Sequence, residues 1–132
     1  MTTTSVRLLS DGIIKFDGGT MFGKVPKVDW EDHVPTDRKN RITLGLNCLL
    51  VQIGDKYVLV DAGVGSKELD NEKETYGLVP SRLMKELRAL EIAPKDIDTV
   101  ILTHLHFDHS GGCTKLDRAG NLVPTFPKAK YV

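Results

Sequence analysis

The chain has 132 residues, of which 40% are apolar and 27% charged, with 18 Lys plus Arg balanced by 18 Asp plus Glu. That composition fits one soluble folded domain, since domains cluster at roughly 100–150 residues, and it excludes a disordered chain. The even charge balance excludes a strongly basic nucleic-acid binder and an acidic tail.

Val6–Leu9 and Ile13–Phe16 are predicted as short strands on either side of a turn pair, Asp11-Gly12. Asp17 to Arg41 reads as a long loop, broken by Gly18, Gly19, Gly23, Pro26 and Pro35 and carrying Phe22, Trp30 and His33. Ile42 to Ile53 and Tyr57 to Val60, separated by Gly54-Asp55, predict a hairpin with a largely buried second strand, which Asp61-Ala62-Gly63 ends abruptly. Pro80 to Ile92 predicts a helix. Leu83, Leu87 and Leu90 fall at i, i+4 and i+7, while Arg82, Lys85, Glu86 and Arg88 take the other face. Pro80 suits the first turn or Ser81 the N-cap. Val100-Ile101-Leu102 then reads as a short strand buried on both faces, which completes a βαβ unit. Gly111-Gly112 is read as a tight turn of the backbone. Leu122–Phe126 and Ala129–Val132 follow as strands, with a turn at Ala119-Gly120-Asn121.

The two cysteines, Cys48 and Cys113, are too few for a disulfide scaffold and fit a reduced compartment. The first residues have neither the basic start nor the apolar run of a signal peptide. No stretch approaches the ~20 apolar residues of a membrane span. A cytoplasmic protein with no membrane and no nucleic-acid partner is expected.

Chemistry concentrates in one place. Three of the four histidines lie in the run His104-Leu105-His106-Phe107-Asp108-His109, directly after a predicted buried strand. Positions i and i+2 of an extended segment share a face, so His104 and His106 can reach one ion. A bend after His106 would send Asp108 and His109 to a neighbouring ion. Imidazole and carboxylate without thiolate suit zinc first, with manganese or iron as alternatives. An ion with an open position brings the pKa of its water down toward ~7.

The same run resembles the His-x-His-x-Asp-His motif of the metallo-β-lactamase superfamily in its hydrolase form. Asp61-Ala62-Gly63 after Val58-Leu59-Val60 resembles that family's preceding motif, and the order of hairpin, helix, strand and His-rich loop matches too. The resemblance implies an α/β fold, half of an αβ/βα sandwich, with a mixed sheet and flanking helices. It implies two divalent metal ions, one on His104 and His106 and a second on Asp108 and His109, with Asp61 orienting a ligand histidine.

Gly18-Gly19-Thr20-Met21-Phe22-Gly23, Pro26, Trp30 and Phe107 look like the lactonase-like hydrolases, the quorum-quenching lactonases among them. That implies a small-molecule ester or lactone substrate attacked by a metal-bridging hydroxide, with Asp108 as the catalytic residue that orients the water or takes its proton. A glyoxalase-type thioester hydrolase, with the same ligands, is a second enzyme reading. A non-catalytic truncated metal-binding fragment is a third. Phe22 and Trp30, with Met21, are candidates for a substrate pocket, a homodimer contact or simple anchoring of the loop. The family's later ligands, two histidines and a bridging acid, are not found after His109. Residues 1–132 are therefore expected to be the N-terminal part of a longer domain.

Overall fold

In the computed structural model, which describes residues 2–68 and 70–132, alternation along the strands decides the layering. The strands are β1 (Thr4–Asp17), β2 (Arg41–Ile53), β3 (Lys56–Val60), β4 (Thr99–Ile101), β5 (Thr114–Leu116), β6 (Leu122–Pro124) and β7 (Lys130–Tyr131). Five of them form a mixed sheet in the order β1-β2-β3-β4-β7, antiparallel at the first two junctions and parallel at the last two. β5 and β6 make a separate antiparallel hairpin.

Cross-strand neighbours Leu9 and Cys48, then Leu50, Leu59 and Val100, line one face of the sheet. They pack against Leu83 and Leu87 of helix α4 (Leu83–Ala89), with Ile97 and Phe126 closing the layer. The opposite face is also apolar but open: Leu8 is 67% exposed, and Leu49, Ile53 and Ile101 are partly exposed. A second cluster, Ile14, Leu46 and Val64, collects Phe16, Leu44, Tyr76, Leu78 and Phe107 around it. Tyr76 follows helix α3 (Asp70–Thr75), whose final carbonyls, Glu74 O and Thr75 O, accept hydrogen bonds from Arg41 at 2.9 and 2.7 Å. None of the described helices is long and apolar enough to cross a membrane.

The predicted hairpin forms across Gly54-Asp55, and β3–α4–β4 is a parallel βαβ crossover. Several expectations are corrected. Asp11-Gly12 is not a turn. β1 runs straight through it, and the pair forms a bulge: Ser10 pairs with Asn47 and Ile13 with Gly45, so Asp11 and Gly12 together oppose Leu46. The 17–41 stretch is not structureless. It holds two short helices, α1 (Gly18–Phe22) and α2 (Lys27–Trp30), the first capped by the Asp17 carboxylate accepting from Thr20 N.

The main helix is shorter than its periodicity suggested, because its first turn is organised from outside. The buried Asp11 carboxylate accepts from Arg82 N and Leu83 N, at 3.2 and 3.1 Å. Ser81 is therefore not the N-cap; its hydroxyl donates to the same carboxylate. In β4 only Val100 is fully buried, since Ile101 alternates onto the open face. Strand β5 carries no sequence signal.

Candidate metal centre

The site is built where two loops leave parallel neighbouring strands, an edge at which α/β folds commonly place function. After β3, Asp61 takes a left-handed conformation (φ 61°). The two loops are then bonded to each other along their backbones. Asp61 N donates to Ile101 O at 2.8 Å, Ala62 N to His109 O at 2.8 Å, and Gly112 N to Gly63 O at 3.0 Å. This contact explains Gly111 and Gly112 better than a tight turn does. Neither has a positive φ, but a Cβ at Gly111 would lie 2.3 Å from Val64 O, and one at Gly112 would lie 1.9 Å from Ala62 O. They are glycines because another backbone passes there.

Asp11 fixes the same loop from below, accepting from Gly65 N at 3.0 Å. From the other side the Lys67 ammonium donates to Gly111 O. Neither residue stood out in the sequence as part of this site.

Within the motif, the chain stays extended to His106 (ψ 145°) and then coils into the single turn of α5 (Phe107–Ser110). That change brings the three imidazoles together. The His104 ring centroid lies 4.6 Å from that of His106 and 4.1 Å from that of His109. Beneath them sits Asp61, which is only 7% exposed. It accepts from Thr103 N at 2.9 Å, from Thr103 Oγ1 at 3.0 Å and from His109 Nδ1 at 2.7 Å. Burial pushes the Asp61 carboxyl up, but the hydrogen bonds from His109 and Thr103 outweigh it and hold the pKa below the ordinary value. The buried carboxylate therefore stays ionised.

The donor set suits a divalent cation in kind. His109 is bracketed by two carboxylates, with Nδ1 2.7 Å from Asp61 Oδ2 and Nε2 3.3 Å from Asp108 Oδ2. Wherever that Nε2 carries no proton, two acceptors face each other and repel unless a metal cation joins them. The donors come in pairs, however. Among the described residues, no three His, Cys, Asp or Glu side chains are arranged to hold one ion.

His104, His106, Asp108 and His109 line a cleft of about 660 Å³ whose other lining is mostly apolar, Ile14, Phe16, Met21, Leu44 and Phe107, with Thr20 and Asn47 as its polar members. Small-molecule sites commonly have roughly this size and character. Phe107 is also structural. Its ring packs at 4.9 Å from Tyr76 and at 6.4 Å, edge on, from Phe16, which fixes the start of α5. Phe22 and Trp30 stack on each other at 4.4 Å, and Trp30 is buried against Gly18. They anchor α1, and it is Thr20 and Met21 from that helix that line the cleft.

The chain matches the sequence profile of the Metallo-beta-lactamase superfamily over residues 42–129, which include Asp61 and the whole His motif. It superposes on a probable metal-dependent hydrolase from Staphylococcus aureus with a TM-score of 0.86 and 34% identity, over 97% of this chain and 46% of that one. It is 35% identical over 72 residues to a human acyl-coenzyme A thioesterase, covering 54% of this chain and 24% of the relative. It is 30% identical over 84 residues to an N-acyl homoserine lactonase from Bacillus cereus, covering 55% and 34% respectively. The chain spans less than half the length of each of these proteins. The matched profile, the mixed sheet with helices on one face, and the crossing of the Asp61 and His104–His109 loops agree: the chain belongs to the metallo-beta-lactamase superfamily.

Proposed function

We propose that this chain carries the metal-binding side of a hydrolase that cleaves carboxylic esters, with lactones as its favoured substrates. The observation that supports this most directly is the cleft. Three imidazoles and the Asp108 carboxylate line it together with Ile14, Phe16, Met21 and Leu44. Two divalent ions, zinc first with manganese or iron as alternatives, would supply polarisation of the scissile carbonyl and acidification of water at neutral pH. His104 and His106 would serve one ion, Asp108 and His109 the other.

The protein's own share is positioning. Asp61 holds His109 through Nδ1, leaving Nε2 as the donor atom. Asp108, beside His109 Nε2 at 3.3 Å, is the carboxylate in the cleft able to take a proton from attacking water. The apolar wall would seat an acyl or alkyl part of the substrate and keep bulk water from the reacting carbonyl.

A thioester is the second reading, favoured by the 35% identity to the human acyl-coenzyme A thioesterase. The likeness to the Bacillus cereus lactonase supports the first. The test is a hydrolysis panel with the zinc-supplemented full-length protein that carries this chain, comparing an acylated homoserine lactone, a simple aryl ester and an acyl thioester. Turnover of the lactone above the zinc-only background is expected, and its loss in His106→Ala and Asp108→Asn. Turnover of the thioester alone would transfer the assignment to the second reading. No turnover of any of the three would overturn the hydrolase reading.

A further inference from the structure

A chamber of about 40 Å³ lies where the β1 bulge, the start of α4 and the β5–β6 hairpin meet, and it shares no residue with the histidine cleft. Its polar lining is Asp11, Ser66, Ser81, Thr114 and Thr125, with Lys115 on its exposed side; the rest is apolar or glycine. Two of these groups are in a condition that folded proteins avoid. Thr125 is 4% exposed, and its Oγ1 has no hydrogen-bond partner among the described residues. Its backbone is already used, since Thr125 N donates to Cys113 O at 2.8 Å, and the neighbouring Phe126 is sunk in the core. Asp11 is 1% exposed and accepts only from neutral donors: Gly65 N, the Ser81 hydroxyl, Arg82 N and Leu83 N. No Lys, Arg or His among the described residues forms an ion pair with it. A buried charge without a counter-charge and a buried hydroxyl without a partner both cost free energy.

We propose that this chamber is a binding site for a monovalent cation of about the size of water, potassium in the first place, held between Asp11 and Thr125. The donors are all oxygens. Three of the four hydrogen bonds to Asp11 fall on Oδ1 and one on Oδ2, so Oδ2 keeps a lone pair to give. The Ser81 proton goes to Asp11, which leaves its oxygen as an acceptor too. Without imidazole or thiolate the set does not suit zinc or other transition metals. One carboxylate among neutral oxygens balances one positive charge, whereas calcium sites gather more ligands and more carboxylates, and magnesium keeps its waters. A volume of about 40 Å³ admits a water-sized ion with room for one or two waters beside it. Bound there, the ion joins the β5–β6 hairpin to the bulge of β1. The site stands apart from the hydrolase reading and is tested without an activity assay.

Thermal unfolding of the full-length protein that carries this chain is followed in potassium chloride, lithium chloride and choline chloride at matched ionic strength. A ligand that binds only the folded state raises Tm with the logarithm of its concentration. Potassium should raise Tm by roughly 2–5 °C over choline at about 200 mM, and lithium, which is too small to span the oxygens, should not. Thr125→Val keeps the shape of the side chain and removes its oxygen, so its Tm in potassium should fall to that in choline. Thr125→Ser should keep the potassium response. Asp11 is left unaltered because it also fastens the start of α4. Rubidium, a potassium substitute that scatters anomalously, should give a peak in the chamber of crystals grown with rubidium chloride.

Equal Tm in all three salts would overturn the proposal and leave water as the occupant of the chamber. So would a potassium response that persists in full in Thr125→Val, because the ion would then bind elsewhere. Rubidium found only at surface carboxylates, an adventitious ion only, would overturn it as well. If Thr125→Val does not fold, the salt comparison on the unaltered protein and the rubidium peak still decide it.

Discussion

Gly112→Ala sets two opposed effects against each other, and their magnitudes decide the sign. Gly112 does not have a positive φ, so on conformational grounds alanine should stabilise the protein by about 0.4–1 kcal/mol through the unfolded chain. Against this, the new methyl would sit 1.9 Å from Ala62 O and 2.9 Å from Ala62 C. Both are backbone atoms of the loop that carries Asp61, so no side chain can swing aside. Reaching even 3.0 Å requires the two loops to part by about 1.1 Å. Such overpacking costs roughly 1–3 kcal/mol. Parting the loops also stretches the 3.0 Å bond from Gly112 N to Gly63 O, worth about 1 kcal/mol net. The balance is a loss of about 1–3.6 kcal/mol. With an unfolding entropy of roughly 2.1 cal/mol/K per residue, the expected fall in Tm is about 4–13 °C. Thermal unfolding followed by circular dichroism measures it, with Gly120→Ala as the comparison. Nothing lies within 4 Å of a Cβ at Gly120, whose φ is 83°. The only cost there is the left-handed conformation, roughly 1–2 kcal/mol. A Tm for Gly112→Ala that is unchanged, raised, or no lower than that of Gly120→Ala would refute the close-approach argument.

Other consequences are open to direct measurement. The backbone N–H of Arg41 holds Asp37 at about 2, against desolvation and with help from the Arg41 side chain and the Lys39 backbone. A folded value below the unfolded ~3.9 means that its stabilisation is complete above that value and is lost as pH falls from about 4 toward 2; a carboxyl ¹³C titration with a midpoint near 4 would contradict this. Burial, reinforced by Asp11 and Asp61, pushes the Cys48 thiol up to about 12. Native alkylation at about pH 8 should therefore label the partly exposed Cys113 well before Cys48, and equal rates by mass spectrometry would show that the sheet opens more readily than its packing implies. Leu87 is fully buried between α4 and the sheet, so Leu87→Ala should cost about 2–5 kcal/mol in urea unfolding. A loss under about 1 kcal/mol would remove it from the centre of the core.

The parts of the molecule legible in the sequence are those that a short window encodes. The His104–His109 run falls within six positions, and one backbone change at His106 is enough to gather it. Leu50, Leu59 and Val100 announce buried strands through their own neighbours. The supports were not legible, because their partners lie far away along the chain. Asp11 reads locally as half of a turn, yet its carboxylate serves Gly65, Ser81, Arg82 and Leu83. Ile101 has the composition of a doubly buried strand, but burial on its side depends on what covers the sheet. Gly112 gave the right residue type for the wrong reason, since a glycine that admits a neighbouring backbone looks the same in sequence as one that turns. Thr103 carries no signal beyond its place before the motif.

The bulge in β1 has a consequence for how this strand tolerates change. Leu9, Asp11 and Ile14 are all buried. A plain strand would have placed alternate residues inward, so removing the extra residue would leave Leu9 and Ile14 facing inward as before. Packing alone therefore does not need Gly12. What the extra residue does is set Asp11 and Gly12 together opposite Leu46, at the point where the Asp11 carboxylate meets a loop and a helix start more than fifty positions away. A deletion at Gly12 would be nearly silent to any reading of hydrophobic pattern, yet it would unfasten the segment from which Asp61 reaches the histidines.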